Sequence, residues 1–206
     1  RVLDFGAGKG YLTFAVHHHL LASGRQADVT GVELRPELTT LCNSAIARLG
    51  LQGLHFDAGD VRTHAAVATD IMIALHACDT ATDVAMHRGI TAGAAIILCS
   101  PCCHKQLRPQ LRSPEVLQPM LRHGIHMAEQ AEMLTDSLRA LLLQRAGYDT
   151  QVFEFVSPEH TSKNKMVLAV RRAQPLSDAQ QQVLHDQVQA LKAFYGVTQH
   201  ALETLL

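Results

Sequence analysis

The 206-residue sequence predicts an α/β fold: a doubly wound, seven-stranded, mostly parallel sheet with an antiparallel terminal strand. Three observations carry this expectation. Short apolar runs bounded by turn residues alternate with helical patterns through the first half of the chain. The fourth run, "DIMIALH", is almost wholly apolar, as a strand buried on both faces requires. Two strand-like runs near the C-terminus, "DTQVFEFV" and "KMVLAVRR", have only a short connection, so they pair antiparallel.

Each element follows in order. "RVLDF" is the first strand, "GAGKG" a turn, and residues 11–22 a helix. "DVTGVEL" is the second strand. The helix after it opens at Pro36, a favoured first-turn residue, and runs to Leu49. "LHFDAGD" and "DIMIALH" are strands three and four. "DTATDVAMHRGI" is a helix capped by Asp79 or Thr80, and "AAIILCS" is strand five. Residues 101–128 carry Pro101, Pro109, Pro114 and Pro119 and read as an insertion of loop and short helix. A helix over 131–146 ends at Gly147. After the two paired strands, a capped helix carries an apolar stripe of Val183, Leu184, Val188, Leu191 and Phe194. Five βα units and a hairpin thus form one domain over 1–172, followed by a helical extension over 173–206.

Composition narrows the function classes. Hydrophobic residues make up 47% and charged residues 18%, which suits a packed core and excludes a disordered chain. The net charge of -1 gives no global basic field, so any nucleic-acid contact is a local patch. No apolar run reaches the roughly 20 residues of a membrane helix. No signal peptide is visible, and five cysteines at 42, 78, 99, 102 and 103 read as reduced thiols in a cytoplasm. The chain opens at Arg1 inside an apolar run and reads as a fragment lacking its N-terminal part.

Ligands of open α/β sheets bind at the carboxyl ends of the strands, which locates the site before any motif is named. After strand one, "DFGAGKG" places Gly6, Gly8 and Gly10 where backbone can approach a ligand. Asp4 precedes the turn and can accept from a cationic amine. Glu33 ends strand two, where a carboxylate can take both ribose hydroxyls of an adenosine. Asp60 ends strand three, within reach of an adenine amino group. The G-x-G-x-G spacing departs from a dinucleotide fingerprint, which needs glycine where Tyr11 stands; this and the hairpin speak against a dehydrogenase.

These features resemble the class I S-adenosylmethionine (SAM) methyltransferases, a Rossmann-like family. The resemblance implies SAM as cofactor, held by Asp4, Gly6, Ala7, Gly8, Gly10, Glu33, Leu34, Asp60, Val61 and Leu75. "LHACDTATD", "LCSPCCHKQL" and "SPEHTSKN" then end strands at the same mouth. His76, Asp79, Cys102, Cys103, His104 and Lys105 are the candidate catalytic residues, and His160, Thr161 and Asn164 the candidate substrate contacts, with Glu159 and Lys163 beside them. Cys78 reads as core filler or as part of this mouth, and Asp83 follows it.

"LCSPCCHKQL" admits four readings. Structural zinc wants two separated ligand pairs, and these ligands are consecutive, so no metal is expected unless His76 or Cys78 completes the set. Cys-Ser-Pro-Cys lacks a thioredoxin-like context. Cys102 or Cys103 can be a nucleophile with its pKa lowered by Lys105 or His104, since RNA cytosine-5 methyltransferases resemble this chain in a cysteine after strand five. The favoured reading is positioning of substrate without a covalent bond. "DFGAGKGYLT", "LHACDTATD", "PCCHK" and "EHTSKN" together resemble a narrower branch. It holds the methyltransferase-like protein twenty-five group, the methyltransferase part of the glutathione S-transferase C-terminal domain-containing protein and the tRNA acceptor-stem 2′-O-methyltransferase. That resemblance implies an RNA substrate, tRNA or rRNA. The alternatives are a protein methyltransferase acting on a translation-related protein and a non-catalytic SAM-binding scaffold. Lys105, Arg108, Arg112 and Arg122, against Glu115 alone, are a local basic set able to hold phosphates.

Overall fold

The structure is a computed structural model, which describes residues 1–65, 67–75, 77–156 and 164–206. Seven strands form one sheet in the order β3-β2-β1-β4-β5-β7-β6. They are β1 (Val2–Phe5), β2 (Val29–Glu33), β3 (Leu54–Ala58), β4 (Ile71–Ala74), β5 (Ile96–Cys99), β6 (Tyr148–Glu154) and β7 (Lys165–Arg171). β1 to β5 pair parallel, and β7 lies antiparallel between β5 and β6. This is the doubly wound sheet the sequence predicts, with the last strand of the chain reversed.

Among the described residues, seven α-helices accompany the sheet: α1 (Tyr11–Ala22), α2 (Pro36–Leu49), α3 (Thr80–Thr91), α4 (Gln118–Leu121), α5 (Gly124–Arg145), α6 (Asp178–Tyr195) and α7 (Ala201–Leu205). Alternation along the strands divides the core into two faces. Val2, Val29, Leu54, Phe56 and Ile73 pack with Cys42 and Ile46 of α2 and the apolar side of α1. Leu3, Phe5, Met72, Ala74 and Ile97 pack with Met86 of α3, Leu138 and Leu142 of α5, Val188 of α6 and Leu202 of α7. Both faces are covered, as near-continuous apolar strands demand.

Three expectations need correction. α5 begins at Gly124, well before residue 131, so the proline-rich insertion is shorter than 101–128. α6 buries Val188 and Tyr195, with Leu184 and Leu191 partly covered, while Val183 and Phe194 are exposed. The stripe is therefore i, i+4, i+7, i+11, set by where α5 lies rather than by hydrophobicity alone. No helix is found among the described residues between β3 and β4, so the count of five βα units fails there. An apolar cavity of about 440 Å³ against Leu3, Phe5 and Met72 lies on the sheet face beside α3 and is bounded partly by that connection. α7 gave no separate sequence signal.

Gly31 shows how tightly the first face is filled. A Cβ there would lie 2.5 Å from two ring carbons of Phe56 and 3.1 Å from the Ala7 methyl. Gly31→Ala should cost about 1–3 kcal/mol by overpacking. A thermal melt measures this, and Phe56→Leu in the same chain should recover part of the loss.

The extension is tied to the site-bearing half. The Gln110 amide accepts from Thr198 and Gln199 N–H and donates to the Gln199 carbonyl. Gln106 accepts from Ala201 N–H at 3.0 Å. His200, between them, is 1% exposed and neither ring nitrogen has a partner among the described residues. Burial pushes its pKa down to about 4; Asp83 and Glu203 oppose that shift, while Arg139 and Lys192 add to it. The folded state therefore disfavours the proton. Stability from this group is full above pH 6.5 and is lost as pH falls toward 4, a span worth roughly 3 kcal/mol at 1.36 kcal/mol per unit. Chemical denaturation at pH 7 and pH 4 should show His200→Leu gaining on the wild type by that order.

Candidate functional site

The carboxyl ends of β1, β2 and β3 open on a cavity of about 250 Å³. Its wall includes Phe5 and Gly6 from the first turn, Val32 to Arg35 from the second, and Gly59 to Arg62 from the third. Ala77, Cys78 and Ala81 close it from the β4 side. The glycine turn is a sequence necessity: Gly6, Gly8 and Gly10 have φ of 74°, 59° and 76°. Gly6 and Ala7 N–H both donate to the Val32 carbonyl, which locks the turn to β2.

Glu33 is the electrostatic centre of this cavity. It is 5% exposed, and its carboxylate accepts from Gly8 N–H at 2.8 Å, Arg35 N–H at 3.1 Å and Arg35 Nε at 2.7 Å. Burial works against its charge, but the bonds from Arg35 and Gly8 outweigh it and hold the carboxyl below the usual range. Asp60 sits on the third turn and accepts from Arg62 N–H at 2.8 Å. A Cβ on Gly8 would meet nothing nearer than 3.9 Å, so this part of the turn leaves open space.

Other predicted cofactor residues are placed differently. Asp4 is 3% exposed and accepts from the Thr13 hydroxyl at 2.7 Å; burial pushes its pKa up to about 6, with Thr13 opposing. A Cβ on Gly10 would lie 2.6 Å from the Phe56 ring, so this glycine makes room for the core rather than for a ligand. Ala7 and Leu75 pack with the α1/α2 face. Leu34 and Val61 line the cavity, and Leu34 is exposed. Sequence reasoning missed Arg35, Arg62, Ala77 and Ala81; the signal for the first was its place directly after the strand-two carboxylate.

The loops after β4 and β5 meet beside this cavity. Ala74 and Cys99 are register partners, so the chain emerges from both strands at one level. Asp79 occupies the N-cap position of α3 without a side-chain cap bond, which corrects its reading as a helix cap. Its carboxylate instead accepts from Gln106 N–H at 3.1 Å, bridging the two loops. Its φ of 54° is the one positive value among described non-glycine residues, a strained conformation held in place by its neighbours. Arg139 donates to the Asp79 carbonyl at 3.0 Å. The same guanidinium grips Asp83 at 2.7 and 3.0 Å and Asp136 at 3.2 Å, all buried. Asp83 is thus part of the foundation of the site and does not face its mouth.

Cys99 is fully buried, and burial pushes its thiol up to about 12. Cys102, Cys103, His104, Lys105 and Arg108 line a second cavity of about 220 Å³ with Ala128, Ala131 and Glu132 of α5. Cys78 of the first cavity and Cys102 of the second have sulfurs 3.0 Å apart, so the two cavities adjoin. Burial first, then the neighbouring thiols of Cys78 and Cys103, push the Cys102 thiol up to about 12. Asn164 is 3% exposed and donates to the Val156 carbonyl at 2.8 Å, fastening the base of the β6–β7 connection. His76, Glu159, His160, Thr161 and Lys163 lie outside the described residues.

A reversed seventh strand, a glycine turn and a buried carboxylate at the second strand end define a class of protein. The chain belongs to the methyltransferase-domain family, whose model matches residues 1–110. Its fold is shared by the SAM-dependent methyltransferase SibL in its apo form: 16% identity, 83% of this chain and 50% of that one, TM-score 0.51. A protein of Methanococcus maripaludis assigned as a SAM-dependent methyltransferase shares it too, with 12% identity over 85% and 79% of the two chains and a TM-score of 0.51. Among curated proteins the chain is similar to the glutathione S-transferase C-terminal domain-containing proteins of Homo sapiens and Macaca fascicularis. Each is 24% identical over 194 residues, covering 82% of this chain and 30% of the relative. The chain therefore spans less than a third of the length of these relatives. No described helix is long and apolar enough to cross a membrane.

Proposed function

We propose that this chain transfers the methyl group of SAM to RNA, with tRNA or rRNA as the substrate class. The observation that carries the reading is the pair of adjoining cavities. One is built around an ionised, nearly buried Glu33; the other is rimmed by exposed Lys105 and Arg108. SAM, when bound, supplies a methyl group on an electrophilic sulfonium.

The residues suit that occupant. Glu33 offers carboxylate oxygens to ribose hydroxyls, Gly6 and the space over Gly8 admit a close ligand, and Asp60 and Val61 flank the third strand end. Phe5, Val32, Ala77 and Ala81 give the apolar wall that excludes water from a nucleoside. At about 250 Å³ the cavity suits a nucleoside portion. In this reading His104 and Lys105, which line the second cavity, hold the acceptor, and the Asp79 bond to Gln106 N–H ties down the loop that bears them. With its thiol held near 12, Cys102 suits positioning better than nucleophilic attack. Orientation of two reactants supplies most of the rate in such a transfer.

Incubating the chain with methyl-labelled SAM and cell extract tests the reading. Label lost on nuclease digestion and kept on protease digestion is the expected result. The reverse pattern assigns a protein substrate, the case in which a translation-related protein is methylated. No incorporation by a folded, SAM-binding chain makes it a scaffold.

A further inference from the structure

Three of the five cysteines converge although Cys78 lies 24 residues before Cys102. The sulfurs of Cys78 and Cys102 are 3.0 Å apart and those of Cys102 and Cys103 3.6 Å, with all three within 4.8 Å of one another. Sulfurs bound to one tetrahedral zinc at about 2.3 Å lie roughly 3.7 Å from each other, so the cluster needs only small adjustments. The loops that carry it are pinned by the Asp79 to Gln106 bond and by the Arg139 bond to the Asp79 carbonyl. The Gln106 and Gln110 bonds to the extension add to this. A site fixed in advance by outer hydrogen bonds is how metal ligands are held.

We propose that Cys78, Cys102 and Cys103 form a three-thiolate site for a soft divalent cation, zinc foremost, with its fourth corner open. Cys78 is exposed and lines the cofactor-side cavity, while Cys102 and Cys103 line the acceptor-side cavity. The fourth corner therefore opens where the two cavities adjoin. Three protein ligands and one open position is the pattern of zinc sites that bind a further ligand. Binding is balanced by proton release: three thiols and one divalent cation give a complex of net charge -1 and three protons. Thiolate ligands favour zinc over hard cations such as magnesium. Three sulfurs in one compass also distinguish the site from a disulfide, which would use two and strand the third. Consecutive ligands in "CC" spoke against a metal in the sequence; Cys78, delivered by the neighbouring strand, supplies the separated ligand.

Cobalt(II) is the probe. The whole chain, reduced and kept anaerobic, should take up one equivalent with thiolate-to-cobalt charge-transfer absorption and tetrahedral ligand-field bands, both erased by zinc. Because Cys78 is exposed, Cys78→Ala should fold normally. It should weaken metal binding by more than ~100-fold, beyond the range of outer-sphere changes. Cys42→Ala, remote from the cluster, should leave binding unchanged. No cobalt uptake by the reduced chain, or uptake indifferent to Cys78→Ala in a chain whose melt is intact, overturns the proposal. The readout needs neither SAM nor an acceptor, so its failure is separable from failure of the RNA reading.

Discussion

Replacing Arg139 with alanine should cost about 3–5 kcal/mol, the largest stability loss expected of any single change here. The side chain is 1% exposed and is shared by Asp83, Asp136 and the Asp79 carbonyl. Burial alone would weaken its charge, but Asp83 and then Asp136 outweigh that and hold it protonated. Alanine leaves two buried carboxylates with no cation, which is where the cost lies. In a chain of this size each 1 kcal/mol moves Tm by roughly 2–4 °C, so the melt should fall by about 6–20 °C. The sign of the pH response follows. Burial already pushes the Asp136 carboxyl up to about 6 against the pull of Arg139, and without Arg139 it rises further, so the penalty grows as pH rises through that range and shrinks as pH falls toward the unfolded value near 4. Denaturation at pH 7 and pH 5 should show the gap to wild type narrowing in acid. A loss below about 1 kcal/mol at pH 7 would contradict this account of the foundation.

Glu33→Ala should weaken SAM binding by at least ~100-fold, since hydrogen bonds to a charged group are worth about 1.5–3 kcal/mol each. The same change frees Gly8 N–H and Arg35, so some loss of order in the glycine turn accompanies it. Glu33→Gln separates the effects: it keeps the shape and an acceptor, loses the charge, and should fall between the two in calorimetry. Affinity indifferent to both changes would sink the assignment of Glu33.

Much of this was legible in the sequence for a physical reason. Strands buried on both faces must be apolar, so β1, β2, β4 and β5 announce themselves, and the positive φ of the first turn demands its glycines. What failed depends on long-range placement. Phe194 and Tyr195 are adjacent aromatics, and only the line of α5 decides that Tyr195 turns inward. Gly10 looks like its two neighbours until Phe56 is seen against it. Asp83 reads with the mouth residues after strand four, because nothing local shows that helices α3 and α5 bring it together with Asp136 and Arg139. Cys78 reads in the sequence as core filler, as part of the mouth or as the completer of a metal set, and only the Ala74 and Cys99 register sets it beside Cys102.

A structure determined with S-adenosylhomocysteine bound tests the central claim most directly. The account predicts the adenosyl group in the cavity walled by Phe5, Val32 and Ala81, its ribose hydroxyls donating to Glu33. An adenosyl group seated elsewhere, with the Gly8 and Arg35 bonds to Glu33 undisturbed, would contradict it.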